Sequence, residues 1–359
     1  EIYYPRGKVL GGSGSINAMI YARGLRSDFE DWNLSEDWSW DNIKATYDQI
    51  EFAVNDKTKR LPSNKIPIND VSLQHHPILK NFFETSLDFD FTFNKQLKSS
   101  IENQVGNYNI NIFKGFRASS SKVFLKPIKS HPNLTILTKT EVLKLNCENK
   151  KIKSLTIKHK NKTINIIPNI GTILSSGSIM TPYLLLKSGI GSAEELKEHN
   201  IPLNLHSPHV GKNFQDHLGL DYLYKTFMPT LNKDLGSWSG RIKSVLRYLY
   251  NRKGPLSLSL NQGGGYINWN SLDPHPNIQL YFNPLTYSVS YKNKRPLLNT
   301  DKFNGFIIGF NSCRPKSLGE VKLKVFKDDY LPSINPNYLS DKRDVYDLYS
   351  TFDFIRKFS

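Results

Sequence analysis

The chain has 359 residues, with 48 Lys and Arg against 32 Asp and Glu, a net charge of +16, and 38% hydrophobic residues. That length suffices for two domains with substantial cores. No run approaches the roughly 18 consecutive apolar residues of a spanning helix, so no membrane span is expected.

In chain order, the stretch GKVLGGSGSINAMIYARG, residues 7–24, comes first. Gly11, Gly12 and Gly14 let the backbone approach a ligand closely, and Ser13 and Ser15 add hydroxyls. A helix beginning near Ile16 would add the attraction of its N-terminus for anions, an arrangement that suits a pyrophosphate. The better-known phosphate loops do not match. Lys8 precedes the glycines, unlike the Walker order, and Asn17 stands where G-x-G-x-x-G needs its third glycine. On spacing alone, a Gly/Ser turn without a ligand is the simpler reading.

Next, Ser39 or Asp41 caps a helix whose Ile43, Tyr47 and Ile50 recur at i, i+4 and i+7. Residues 57–75 read as a polar loop with two prolines, and PILKNFFETSLDF as an amphipathic helix. RASSSKVFLKPI predicts a short helix ended by Pro127, and the segment from Asn133 to Gly177 predicts four or five strands. Within it Ile152, Leu155, Ile157, Ile164 and Ile166 alternate with polar positions. The densest basic run is therefore read as the wet face of a hairpin, and no nucleic-acid partner is expected, because phosphate binding would need the cations on one face. SIMTPYLLLKSG predicts a helix with Thr181 as its cap, Pro182 in its first turn and Gly189 at its end. LGSWSGRIKSVLRYLYNRKG carries another helix; NIQLYFNP, GFIIGFNSCRP and GEVKLKV read as strands. Such alternation favours an α/β architecture joined to a more antiparallel domain.

Cys147 and Cys313 lack any CxxC or His-rich neighbourhood, so no metal site is expected, and a single disulfide stays open. Sequons at Asn33, Asn133 and Asn161 match the number chance produces in so Asn-rich a chain.

The string PRGKVLGGSGSINAMIYARGLRSDFEDW closely resembles the first signature of the glucose-methanol-choline (GMC) oxidoreductases, roughly Gly-Lys-x-Leu-Gly-Gly-Ser-x-x-x-Asn-x-Met-x-Tyr-x-Arg-Gly. SSGSIMTPYLLLKSGIG, from Ser175 to Gly191, resembles the second. GFRASSSKVFLKP is similar to the family's Arg-x-Ser segment, and VGKNFQDH to its Val-Gly-x-Asn-Leu-Gln-Asp-His. RPKSLGEVKL and PSINPNYLSDKRD resemble the opening of the family's C-terminal region. The resemblance runs from Tyr4 to about Phe354, and arthropod glucose dehydrogenase (FAD, quinone)-like proteins are the most similar branch.

The resemblance implies an α/β fold: an incomplete FAD-binding (Rossmann-like) domain with an α+β substrate domain on a mostly antiparallel sheet. Residues 1–78 would be the flavin-contacting segment and lid, 79–115 the start of the substrate domain, 116–222 the FAD-binding domain and 223–359 the substrate domain. The cofactor would be FAD. Val9, Gly12 and Ser13 would lie toward its pyrophosphate, Asn17, Ala18, Met19 and Ile20 along the isoalloxazine, and Val142 at the adenine. Gly177, Thr181, Pro182 and Ser188 to Gly191 would shape the turn beneath it, with Ser176 and Ser178 replacing the usual alanines and Phe214 a leucine. His217 would be a packing or loop-fixing residue, because the family's proton-accepting His falls far downstream. No other histidine shows a recognisable pattern.

The implied reaction oxidises a primary or secondary alcohol or a sugar, passing electrons to a quinone, oxygen or another acceptor. The family's G-x-G-x-x-G and catalytic His pair would lie outside residues 1–359, so no catalytic residue is assigned, and weak FAD binding with little turnover is expected of these residues alone. The alternative is an inactive, truncated paralogue that acts at most as a binding or structural protein. Family resemblance favours secretion.

Overall fold

The computed structural model describes residues 2–32, 34–55, 58–97, 103–269, 275–290, 297–327 and 329–359, which leaves the sequon Asn33 outside. Its helices are α1 (Arg26–Glu30), α2 (Trp40–Ile50), α3 (Leu79–Leu87), α4 (Gly177–Lys187), α5 (Ala193–Glu198), α6 (Leu231–Leu235), α7 (Trp238–Asn251) and α8 (Lys342–Phe358). None among the described residues is long and apolar enough to cross a membrane. The architecture is mixed α/β with mostly antiparallel sheets.

Two units divide the chain: residues 1–134, 219–314 and 347–359 form one, and 135–218 with 315–346 the other. Residues 1–78 and 79–115, separated in the sequence division, fall in the same unit.

The first unit is built on a six-stranded sheet in the order Gly219–Lys225, Gly305–Ser312, Ile278–Asn283, Gly263–Ile267, Gln104–Asn107, Thr92–Gln96. Neighbours are antiparallel except the last pair. Leu220, Phe310, Leu280, Gly265 and Val105 lie in one row across five strands. Strand side chains alternate between faces, so Ile278, Leu280 and Phe282 share the apolar face while Gln279 and Tyr281 share the polar one. Aromatic rings cover the apolar face. Phe82 of α3 meets Phe282 and Phe358 at centroid distances of 5.2 and 5.3 Å, and Phe352 of α8 meets Phe310 at 5.4 Å. Phe354, fully buried, contacts the rings of Phe89, Phe91, Trp269 and Phe358.

A smaller four-stranded sheet runs Ile20–Tyr21, Asn109–Ile110, Ile66–Asn69, Glu51–Val54. The expected loop at 57–75 therefore contains a strand, parallel to Glu51–Val54. Pro67 fits because the ladder on the strand's other side reaches only Asn69, and the Pro67 carbonyl instead accepts from Asn111 Nδ2 at 3.1 Å. Pro127 does not end a helix. It sits in a 3₁₀ turn, Lys126–Ile128, that continues the helical turn Ser121–Leu125.

In the second unit the expected four or five strands are three, Thr140–Glu148, Lys151–His159 and Lys162–Ile166, all antiparallel. The segment after Ile166 leaves Ile170 and Ile173 exposed and without a partner strand among the described residues. Ser188 Oγ ties this sheet to the end of α4, accepting from Leu145 N at 2.9 Å and donating to Leu184 O at 2.6 Å. Thr181 is inside α4 and accepts from Ser176 N at 3.1 Å, so it closes the helix start from within; Pro182 likewise lies inside. Gly189, with φ 79°, follows the helix as expected. A hairpin, Glu320–Phe326 with Asp329–Asn335, completes this unit. Cys147 and Cys313 are both free thiols, and burial pushes Cys313 up to about 12.

Two tests follow from this packing. Phe354→Ala empties the centre of the aromatic cluster and is expected to cost about 3–5 kcal/mol, read by urea denaturation. His75 and His76 are held neutral by burial, which lowers both from 6.5. Below about pH 6.5 the unfolded chain binds protons that the folded chain does not, so stability falls as pH drops through the folded values. The midpoint of thermal unfolding should be lower near pH 5 than near pH 7.5, with a flatter dependence in the His75→Gln/His76→Gln double variant.

Candidate functional site

The Gly-rich segment does not start a helix at Ile16. It folds into a single 3₁₀ turn, Gly12–Ser15, preceded by Gly11 at φ 90°, and reaches the strand Ile20–Tyr21 through a bend and a left-handed Met19. Most of its hydrogen-bonding groups are used internally. Gly12 N donates to Val9 O at 2.9 Å, Ile16 N and Asn17 N donate to Ser13 O at 3.0 Å, and Ser13 Oγ accepts from Gly7 N at 3.2 Å. Ser15 Oγ donates to Leu10 O at 2.9 Å. The Ser15 hydroxyl thus braces the turn from inside.

What the turn offers outward is open backbone. A Cβ built on Gly12 or on Gly14 meets no atom within 4 Å, whereas one on Gly11 would stand 2.6 Å from Ser15 Oγ. Around this opening Val9, Leu10 and Ile16 are about half exposed, and Asn17 and Ala18 are exposed as well. So many apolar side chains in water beside bare glycines mark a face meant to be covered.

Asn17 organises the exit. Its Oδ1 accepts from Met19 N at 3.0 Å and from Arg117 Nη1 at 2.7 Å. With the oxygen engaged twice, the amide NH₂ is the group left to donate outward. Met19 adopts a left-handed φ of 65°, uncommon for a non-glycine residue. Its carbonyl accepts from Asn111 N at 2.9 Å, and its side chain packs on Val71, Ile110, Ile112 and Leu258. Ile20 pairs with Ile110 across the small sheet. Arg23 anchors the end of the segment to Glu51 and Asp48, each at 2.8 Å.

Gly14, Asn17, Met19, Asn111, Arg117 and Ser120 contribute to the wall of a recess of about 160 Å³. That is below the roughly 300–1,000 Å³ of a closed ligand pocket, so it is one wall of a site that a flat group would lie against. Arg117 carries the electrostatics. It makes no ion pair among the described residues, and burial alone lowers its pKa. A half-buried cation without a carboxylate favours an electron-rich ligand beside it.

Val9, Gly12, Ser13, Asn17, Ala18, Met19 and Ile20 all lie in the first unit along this one segment. Val142 belongs to the second unit, 40% exposed on the strand Thr140–Glu148 opposite Ile157. His217 is exposed and makes no hydrogen bond among the described residues. Its neighbour Asp216 accepts from Tyr338 Oη at 2.5 Å. Arg117, Ser119 and Asn111 lie outside the expected site residues; the similarity to the Arg-x-Ser segment is the available signal for the first two.

A family model described as GMC oxidoreductase matches residues 1–219. The chain is 32% identical over 352 residues to an alcohol dehydrogenase [acceptor] of Pseudomonas putida, covering 96% of this chain and 62% of that protein. It is 30% identical over 366 residues to an oxygen-dependent choline dehydrogenase of Staphylococcus haemolyticus, covering 96% and 60%. The chain thus spans about three fifths of the length of these relatives. Among solved structures, a formate oxidase superposes with a TM-score of 0.85 at 22% identity, over 98% of this chain and 67% of that one. A pyridoxine 4-oxidase from Mesorbium loti gives 0.79 at 23%, over 98% and 65%. At such identities these likenesses establish the fold.

The turn's geometry is open to a stability test. Gly11→Ala should lose about 1–3 kcal/mol, because the added methyl meets Ser15 at a left-handed φ. Gly14→Ala should stay within about 1 kcal/mol of the parent, both read by chemical denaturation.

Proposed function

Since the chain belongs to the GMC oxidoreductase family, whose cofactor is FAD, we propose that it forms the flavin-facing part of an oxidoreductase acting on CH–OH donors. The observation that carries this reading is the conjunction of bare glycine backbone at Gly12 and Gly14 with the oriented Asn17 amide and the Arg117 cation, which holds that amide and has no ion pair among the described residues. When bound, FAD supplies the hydride acceptor for oxidation of the donor carbon.

The chain's own residues would do the holding and tuning. Gly12 and Gly14 present peptide backbone without side chains, while Val9 and Ile16 offer exposed apolar contact. Ser13 fixes the turn through its carbonyl. The small Ala18 leaves the edge between Asn17 and Met19 open, and Ile20 ties that edge to the small sheet. Asn17 would donate its NH₂ to an electron-rich edge of the ring, and Arg117 would favour negative charge developing nearby. Oriented dipoles and a fixed cation in a partly dry site raise a ring's affinity for electrons without reorganisation during the reaction. The relatives' names, an alcohol dehydrogenase and a choline dehydrogenase, support an alcohol as substrate. A sugar alcohol carbon, in the manner of glucose dehydrogenase-like proteins, is the narrower form of the proposal. The electron acceptor would be oxygen, a quinone or another small acceptor.

Gly14→Leu separates fold from cofactor. Its side chain would enter space that is empty within the protein, so the melting temperature should hold while FAD affinity, followed by quenching of flavin fluorescence on titration, drops at least about tenfold. Parent-like FAD affinity in Gly14→Leu would remove the recess as the flavin wall.

A further inference from the structure

Helix α7 is turned inside out relative to an ordinary surface helix. An amphipathic helix normally buries its apolar stripe. Here the buried or half-buried positions are Gly240, Ser244 and Tyr248, spaced four apart. They seat the helix closely: a Cβ on Gly240 would stand 1.9 Å from Asp234 O, and Tyr248 Oη donates to Gly115 O at 3.1 Å. The opposite stripe, Trp238, Ile242, Val245, Leu246 and Leu249, recurs at i, i+4, i+7, i+8 and i+11 and faces water. Trp238 is 78% exposed, Leu246 60% and Leu249 59%.

The charges beside this stripe have one sign. Residues 235–254 contain Arg241, Lys243, Arg247, Arg252 and Lys253 and no Asp or Glu. Helical spacing puts Arg241 on one flank of the stripe and Lys243 on the other, with Arg247 next beyond Lys243 toward the buried face and its side chain alongside Gly254. None of these three forms an ion pair among the described residues. An apolar stripe holding Trp and Leu between cationic flanks complements the surface of an anionic bilayer, with hydrocarbon below and phosphate on either side. A second copy of the chain is a poorer match, since a two-fold contact would oppose these cations with themselves. Nucleic acid would satisfy the cations and leave the tryptophan and leucines in water.

We propose that α7 is a membrane-surface anchor that seats the protein on anionic lipid. Trp238, Ile242, Leu246 and Leu249 enter the acyl boundary, and Lys243 and Arg247 meet headgroup phosphates. The helix lies in the plane of the interface and does not span it.

Co-sedimentation of the 359-residue chain with vesicles of phosphatidylcholine alone, or with about 30% phosphatidylglycerol, tests this. Binding should appear with the anionic vesicles, weaken with salt and blue-shift the tryptophan emission. Leu246→Glu/Leu249→Glu should reduce partitioning at least about tenfold, and Lys243→Glu/Arg247→Glu should abolish the preference for anionic lipid. All four side chains are exposed, so circular dichroism and the melting temperature should stay at parent values. Equal binding to both vesicles, no binding, or parent-like binding by the leucine variant would overturn the proposal. So would a dimer in light scattering that Leu246→Glu/Leu249→Glu disperses, which would give this face to a second copy.

Discussion

Burial of the aromatic face of the six-stranded sheet is the constraint on which the first unit rests. No contiguous stretch supplies that face and its cover. The strands come from residues 92–107 and 219–312, the cover from α3 and from the C-terminal turns of α8. Phe82 and Phe354 gain their desolvation only when α3 and the segment after it meet α8, more than two hundred residues on, while Phe310 meets Phe352 from the nearer strand. Rings at 5 to 6 Å in tilted and edge-on arrangements add quadrupole attraction to that burial. The polar residues of the opposite face, Gln279 and Tyr281 among them, follow from the same alternation and need no separate explanation.

On this unit the Gly-rich turn is held by a small number of polar contacts. Asn17 receives two donors on one oxygen, Met19 bends left-handed to let it, and Arg117 reaches it from a hundred residues away. The result is a pre-set arrangement in which bare backbone, an amide donor and a cation are fixed before any ligand arrives. Preorganisation of this kind reduces the cost of binding and of charge development alike.

Much of the local structure was legible in the sequence. The period of Ile43, Tyr47 and Ile50 located α2, and the turn glycines stood where the Gly-rich string put them. What escaped has physical causes. Ile170 and Ile173 resemble strand residues, yet a strand is a property of a pair, and no partner among the described residues reaches them. The strand at Ile66–Asn69 was hidden by Pro67, which is tolerated only because its ladder is one-sided there. Arg117 carries no periodic signal, and only the fold shows that it meets Asn17. The stripe on α7 was equally visible as a helix, but periodicity does not tell which side faces the core.

The interleaved order of the two units also bears on how the chain reaches its native state. Residues 135–218 interrupt the first unit, and the aromatic cover of the sheet arrives with Phe352, Phe354 and Phe358. During synthesis the sheet strands emerge before the helix that shields them, so a growing chain exposes a sticky aromatic surface until residues 352–358 have followed. High contact order of this sort slows folding and lengthens dependence on chaperones.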